Sequence, residues 1–166
     1  VGGVVLVSLL MPLVLIDIDH LWLPEQICRA GVITGLLASA LVAAFGHPEI
    51  GNSLLFNHLL ASAAGLLVLE GLSALAERLV GQPALGLGDA KLAAMAGAWL
   101  GLAGLGVAMG IAVMSGALFG VIGRITGRLN PRQPFPFGPF IAMGIWLGWL
   151  MGPQWWWQQW VALIGS

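Results

Sequence analysis

Charge is scarce in this sequence. Six Lys and Arg and seven Asp and Glu make up 8% of the 166 residues, where a soluble domain carries about 25%. So few charges cannot cover a surface that faces water. With 59% hydrophobic residues and a mean hydropathy of +0.97, the surface must face lipid. Residues 1–166 therefore read as one membrane-embedded domain. A net charge of −1 leaves no electrostatic footprint for nucleic acid. One cysteine, Cys28, excludes an internal disulfide and a multi-cysteine zinc site, and reads as a small buried hydrophobe. Residues 1–16 lack a basic n-region and a small-residue cleavage site, so they are not read as a signal peptide. That first run is short for a span and begins at Val1, which suggests further residues upstream. No internal repeat or low-complexity linker points to a second domain.

What the chain has in quantity is apolar runs, at roughly 1–16, 27–45, 53–75, 91–105, 106–123 and 137–152. A spanning helix takes about 20 such residues. As one helix, 91–123 would be about 50 Å long at ~1.5 Å per residue, against a hydrocarbon core of ~30 Å. A break at Gly104-Leu-Gly106 is expected, because glycine weakens a helix. Charge placement supports six helices over five. Six put the segments at 17–26, 76–90 and 124–136 on one face. All six cations, Arg29, Arg78, Lys91, Arg124, Arg128 and Arg132, then fall on that face, and the positive-inside bias makes it cytoplasmic. The other face carries His47, Pro48, Glu49 and the tail Trp155-Trp156-Trp157 with Trp160, read as an interfacial anchor. The predicted fold is thus all-α, a polytopic membrane bundle of about six transmembrane helices.

Carboxylates at the edge of a bilayer are costly and usually functional. Asp17-Ile18-Asp19 closes the first run, and Gly86-Leu87-Gly88-Asp89 opens the fourth. On a helix Asp17 and Asp19 are about 200° apart, so only one can face a common partner. The two glycines before Asp89 allow its turn to press against a neighbouring helix. If Asp89 meets Asp17 across the bundle, the two charges repel and the pair shares a proton near neutrality. One carboxylate then acts as general base on water while the other, protonated, polarises a carbonyl. Taken singly, the first motif is a solvated loop start and the second an aspartate N-cap; together, on one face, they are harder to dismiss. Lys91 reads as a counter-charge or a positive-inside residue. Glu70 lines a polar cavity or extends to the interface. His20 has no second His or Cys at ligand spacing, so no metal is expected. Asn57 and His58 suit hydrogen bonding between helices better than ligation.

These motifs resemble those of the type IV prepilin peptidases. Asp17-Ile-Asp-His-Leu-Trp-Leu-Pro-Glu25 is similar to that family's Asp-x-Asp-x-x-x-Leu-Pro-Asp. Gly86-Leu-Gly-Asp89-Ala-Lys91-Leu, followed by Gly97-Ala-Trp-Leu-Gly101, is similar to its Gly-x-Gly-Asp-x-Lys-Leu and Gly-Ala-Trp-x-Gly. Pro134-Phe-Pro136-Phe137-Gly138-Pro139 is similar to its Pro-Ile-Pro-Phe-Gly-Pro. Order and spacing agree over nearly the whole chain. Two positions depart: Glu25 for Asp and Phe135 for Ile. The presenilins and signal peptide peptidases share Gly-x-Gly-Asp but pair it with a Tyr-Asp motif. This chain has no tyrosine, and its Pro83-Ala84-Leu85 precedes the glycine motif instead of following it.

The resemblance implies an aspartic endopeptidase of the bacterial inner membrane, needing no cofactor. It would remove the short basic leader of type IV prepilins or type II secretion pseudopilins at the cytoplasmic face, usually after a glycine. Asp17 and Asp89 match the catalytic positions. Asp19, Gly86, Gly88 and Lys91 would support them, and Glu25, Pro136, Phe137, Gly138 and Pro139 are candidates for substrate binding. The four cysteines that larger members carry for a metal site linked to N-methylation are not in these residues, so methyltransferase activity is not supported for them. The partners implied are the prepilin or pseudopilin and the lipid bilayer. The alternative is a small proton- or cation-coupled transporter or channel using the same carboxylates.

Overall fold

The computed structural model describes residues 2–45, 48–80, 86–128 and 135–164. His47, Pro83-Ala84-Leu85, and residues 129–134 with Arg132 and Pro134 lie outside the described residues, as do the side chains of Glu49, Trp157 and Trp160.

The apolar runs fold into helices α1 (Gly2–His20), α2 (Glu25–Phe45), α3 (Pro48–Val80), α4 (Leu87–Ile125), α5 (Gly138–Met151) and α6 (Pro153–Ile164). The first four are long and apolar enough to cross a membrane; α5 is apolar but shorter. The chain forms a polytopic membrane helical bundle, and its exposed surface is dense in Leu, Val, Phe and Met.

The main difference from the sequence reading lies inside α4. The break falls at Gly101, three residues before the expected Gly104-Leu-Gly106. Gly101 has φ +68 and ψ −174, a region that is essentially glycine-only. Gly104 instead packs on the Leu100 side chain, and Gly106 faces open space. A glycine that only lowers helix propensity can be carried within a helix; one that must adopt a positive φ sets the turn. The register shows that the chain doubles back there. Along the first arm, residues 87–100, Gly65 meets the Ala93 carbonyl and Gly97 meets the Ala61 backbone, so the arm runs antiparallel to α3. Along the second arm, residues 102–125, Ala108 meets Gly144 and Gly116 meets Phe137, so it runs back beside α5. The six apolar runs thus become α1, α2, α3, the two arms of α4, and α5.

A second difference is at the C-terminus. The Trp-rich tail is helical, α6, set off by Gly152 at φ +74. Trp156 Nε1 donates to the Leu147 carbonyl at 3.3 Å, and Trp155 stacks edge-on against Trp156 with centroids 5.0 Å apart.

Helix ends gather at two levels. Asp17, Leu23, Gly88 and Gly138 share one end of the bundle, and Gly2, Trp99 and Trp149 share the other. The core between them is built from Leu6, Leu13, Leu92, Met95, Ile141 and Ile145, all fully buried.

Candidate active site

Asp17 stands in the last turn of α1, three residues before its final residue, His20. Leu21 then takes φ +52, its N–H closing on the Asp17 carbonyl at 2.9 Å, and the chain turns so that Leu23 is buried beneath it. Asp17 is 5% exposed, while Asp19 is exposed, as expected for positions about 200° apart on a helix. Asp17 Oδ2 accepts the Gly138 backbone N–H at 2.9 Å. Gly138 opens α5, preceded by Phe137 at the cap and followed by proline in the first turn. Its N–H is one of those a helix leaves without an internal partner, so Asp17 caps α5 from across the bundle. The positive end of the α5 dipole then faces a carboxylate.

Asp89 occupies the third position of α4, not the N-cap; the cap is Gly86. Its Oδ2 turns back to accept the Gly86 N–H at 3.1 Å, while its own N–H donates to the Gly86 carbonyl at 3.0 Å. This is the side-chain half of a capping box. Asp89 is 8% exposed.

The two aspartates lie within reach of each other's charge, but no hydrogen bond joins their carboxyl groups among the described residues. No Cα of α1 comes within 8 Å of one in α4. Leu23 fills part of the gap. A Cβ on Gly88 would lie 2.7 Å from the Leu23 Cβ, and one on Gly138 would lie 3.4 Å from its Cδ2. Each carboxylate is thus held at Oδ2 by a backbone N–H. Oδ1 of each has no partner among the described residues.

The other sequence candidates fall into three places. Lys91 pairs with Glu25 at 2.9 Å, so its counter-charge is Glu25 and not Asp89. Glu25, Arg29, Glu70 and Lys91 line a cavity of about 610 Å³ between α2, α3 and α4, in which Asp89 takes no part. Pro136, Phe137 and Pro139 are half-buried. The Phe137 ring packs on Gly116 and on Phe140, at 6.3 Å between centroids. Phe135 closes the cluster against Phe119 at 5.8 Å. The motif thereby anchors the start of α5 to the second arm of α4, which brings Gly138 to Asp17. Gly138, a substrate-binding candidate by resemblance, contacts Asp17, and no local pattern in the sequence announces that contact. No group of three His, Cys, Asp or Glu suited to a metal occurs among the described residues.

A polytopic membrane bundle with two buried, backbone-held carboxylates at one end is the class of protein these features define. The model of the type IV leader peptidase family matches residues 4–121, and the chain belongs to that family. Among similar proteins, the prepilin leader peptidase/N-methyltransferase of Bacillus subtilis (strain 168) is 36% identical over 150 residues, covering 90% of this chain and 55% of the relative. That of Aeromonas salmonicida (strain A449) is 32% identical over 151 residues, 91% of this chain and 49% of the relative. That of Pseudomonas aeruginosa is 32% identical over 145 residues, 87% and 47%. The chain spans about half the length of these curated relatives. No solved structure matches it.

Proposed function

We propose that this chain carries the peptidase activity of its family: an aspartic endopeptidase that removes the leader of type IV prepilins or type II secretion pseudopilins at the cytoplasmic face of the bacterial inner membrane. The observation that carries the reading is the pair Asp17 and Asp89, both buried at one end of the bundle, each with one oxygen fixed by a backbone N–H and the other without a partner among the described residues. A shared proton between such groups lets one carboxylate take a proton from water while the other donates to the scissile carbonyl oxygen. The hydroxyl adds to the carbonyl carbon, the C–N bond breaks, and the proton taken from water passes to the leaving nitrogen. The products are a carboxylate and a new N-terminal amine. Arg29, Arg78, Lys91 and Arg124 lie towards the helix ends at the aspartate level and Arg128 just beyond α4, which favours a cytoplasmic orientation.

The test is cleavage of a purified prepilin in detergent. Asp17→Asn and Asp89→Asn are each expected to lose about 10³-fold or more in rate, while Asp19→Asn, at an exposed site, stays near wild type. Full cleavage by either of the first two variants would remove that residue from the mechanism. Cation flux in liposomes without prepilin cleavage would favour a transporter.

A further inference from the structure

The reversal at Gly101 leaves a backbone hydrogen bond unmade. In an unbroken helix the Leu102 N–H would donate to the Ala98 carbonyl, four residues back. Here each half goes to α3. Leu102 N–H donates to Asn57 Oδ1 at 2.7 Å. The Ala98 carbonyl lies 2.9 Å from His58 Nδ1. A carbonyl only accepts, so His58 carries its proton on Nδ1. The same Nδ1 is 2.9 Å from Ser39 Oγ on α2, whose hydroxyl donates onward to the Gly35 carbonyl at 3.1 Å. A backbone N–H or carbonyl left unpaired away from water is costly. Two consecutive residues of α3 thus take both halves of one broken bond, and one of them ties α2 in as well.

We infer that Asn57 and His58 are positioning residues for Asp89. They fix the residue at which the first arm of α4 ends, and that fixes which way the arm's other end faces. Asp89 stands twelve residues before Gly101 on the same arm. Shifting the break by one residue turns the arm by about 100° and slides it ~1.5 Å. Such a turn carries Asp89 out of the burial it shares with Asp17 and pulls Lys91 off Glu25. Close packing of Gly97 on Ala61 and of Gly65 on Ala93 holds the arm against α3, but glycine contacts slide more readily than hydrogen bonds. The polar pair gives the register its direction. Gly101 itself has no room for a side chain: a Cβ there would stand 2.6 Å from Asn57 Oδ1 and 3.2 Å from His58 Cδ2. The link to catalysis rests on the peptidase reading; the link to the register of the arm does not.

The experiment therefore has two arms. In the first, prepilin cleavage is compared among wild type, Asn57→Leu, His58→Leu and the conservative variants Asn57→Asp and His58→Asn. Asparagine keeps an N–H where His58 Nδ1 stands, and aspartate keeps an acceptor where Asn57 Oδ1 stands. The leucine variants are expected to lower kcat by about 10- to 100-fold, the loss that a misplacement near 1 Å brings, with KM unchanged. The conservative variants are expected to recover most of it. In the second arm, spin labels at the exposed positions Ile18 and Leu87, in a Cys28→Ala background, report the distance between the ends of α1 and α4. His58→Leu is expected to shift or broaden that distance distribution, and His58→Asn to restore it. A shift with no cleavage by wild type would sink the peptidase reading and leave the register claim standing. Wild-type kcat in His58→Leu, or equal impairment in His58→Leu and His58→Asn, would overturn the positioning role. An unmoved label distance would overturn the register claim.

Discussion

Gly138 gives its backbone N–H to Asp17 Oδ2 at 2.9 Å, and a Cβ on that glycine would stand 2.6 Å from the same oxygen and 3.1 Å from Asp17 Cγ. The contact joins residues 121 positions apart in the chain and sets both the orientation of the buried carboxylate and the entry of α5.

Gly138→Ala is accordingly expected to push Asp17 off this position while leaving the fold intact, because the helix that follows tolerates alanine well. Cleavage of a prepilin should fall about 100-fold, as for other small displacements of a reacting group. KM should change little. A variant with unaltered kcat would mean that the Gly138 contact does not orient Asp17 for the reaction.

Glu25 and Lys91 form an exposed pair, their side chains 55% and 33% accessible, so the pair is expected to matter for charge at the aspartate end of the bundle more than for folding. Glu25→Gln should leave the melting temperature in detergent unchanged. It should raise KM for a basic leader at low salt, and the difference should fade above ~0.1 M salt, where charges more than ~10 Å apart are screened. An unchanged KM at low salt would leave Glu25 as a partner of Lys91 only.

Much of this was legible in the sequence because it follows local rules. Scarcity of charge marks a lipid-facing surface, and run lengths mark the spans. The 200° between Asp17 and Asp19 on a helix separates a buried carboxylate from an exposed one. What was not legible depends on residues distant in the chain. The Gly97-to-Gly106 stretch offers four glycines, and composition alone favours the closely spaced pair at 104 and 106. The structure uses 101, where Asn57 and His58, from another helix, accept from and donate to the opened backbone. The same holds for Gly138, whose contact is with a carboxylate at the far end of the sequence, and for Lys91, whose partner is Glu25 on α2 and not its neighbour Asp89.

The position of the break makes two glycines respond in opposite ways to one substitution. Gly101→Ala forces a side chain into φ +68, ψ −174, at a cost of about 1–3 kcal/mol, and drives its Cβ to 2.6 Å from Asn57 Oδ1. Gly106→Ala meets nothing within 4 Å, lies within a helical arm, and gains about 0.8–1 kcal/mol of helix propensity. Thermal unfolding in detergent should therefore show Gly101→Ala melting roughly 5 °C below wild type, and Gly106→Ala equal to or above it. Were the turn at Gly104-Leu-Gly106, as glycine spacing alone indicates, the order would reverse, with Gly106→Ala the damaging change.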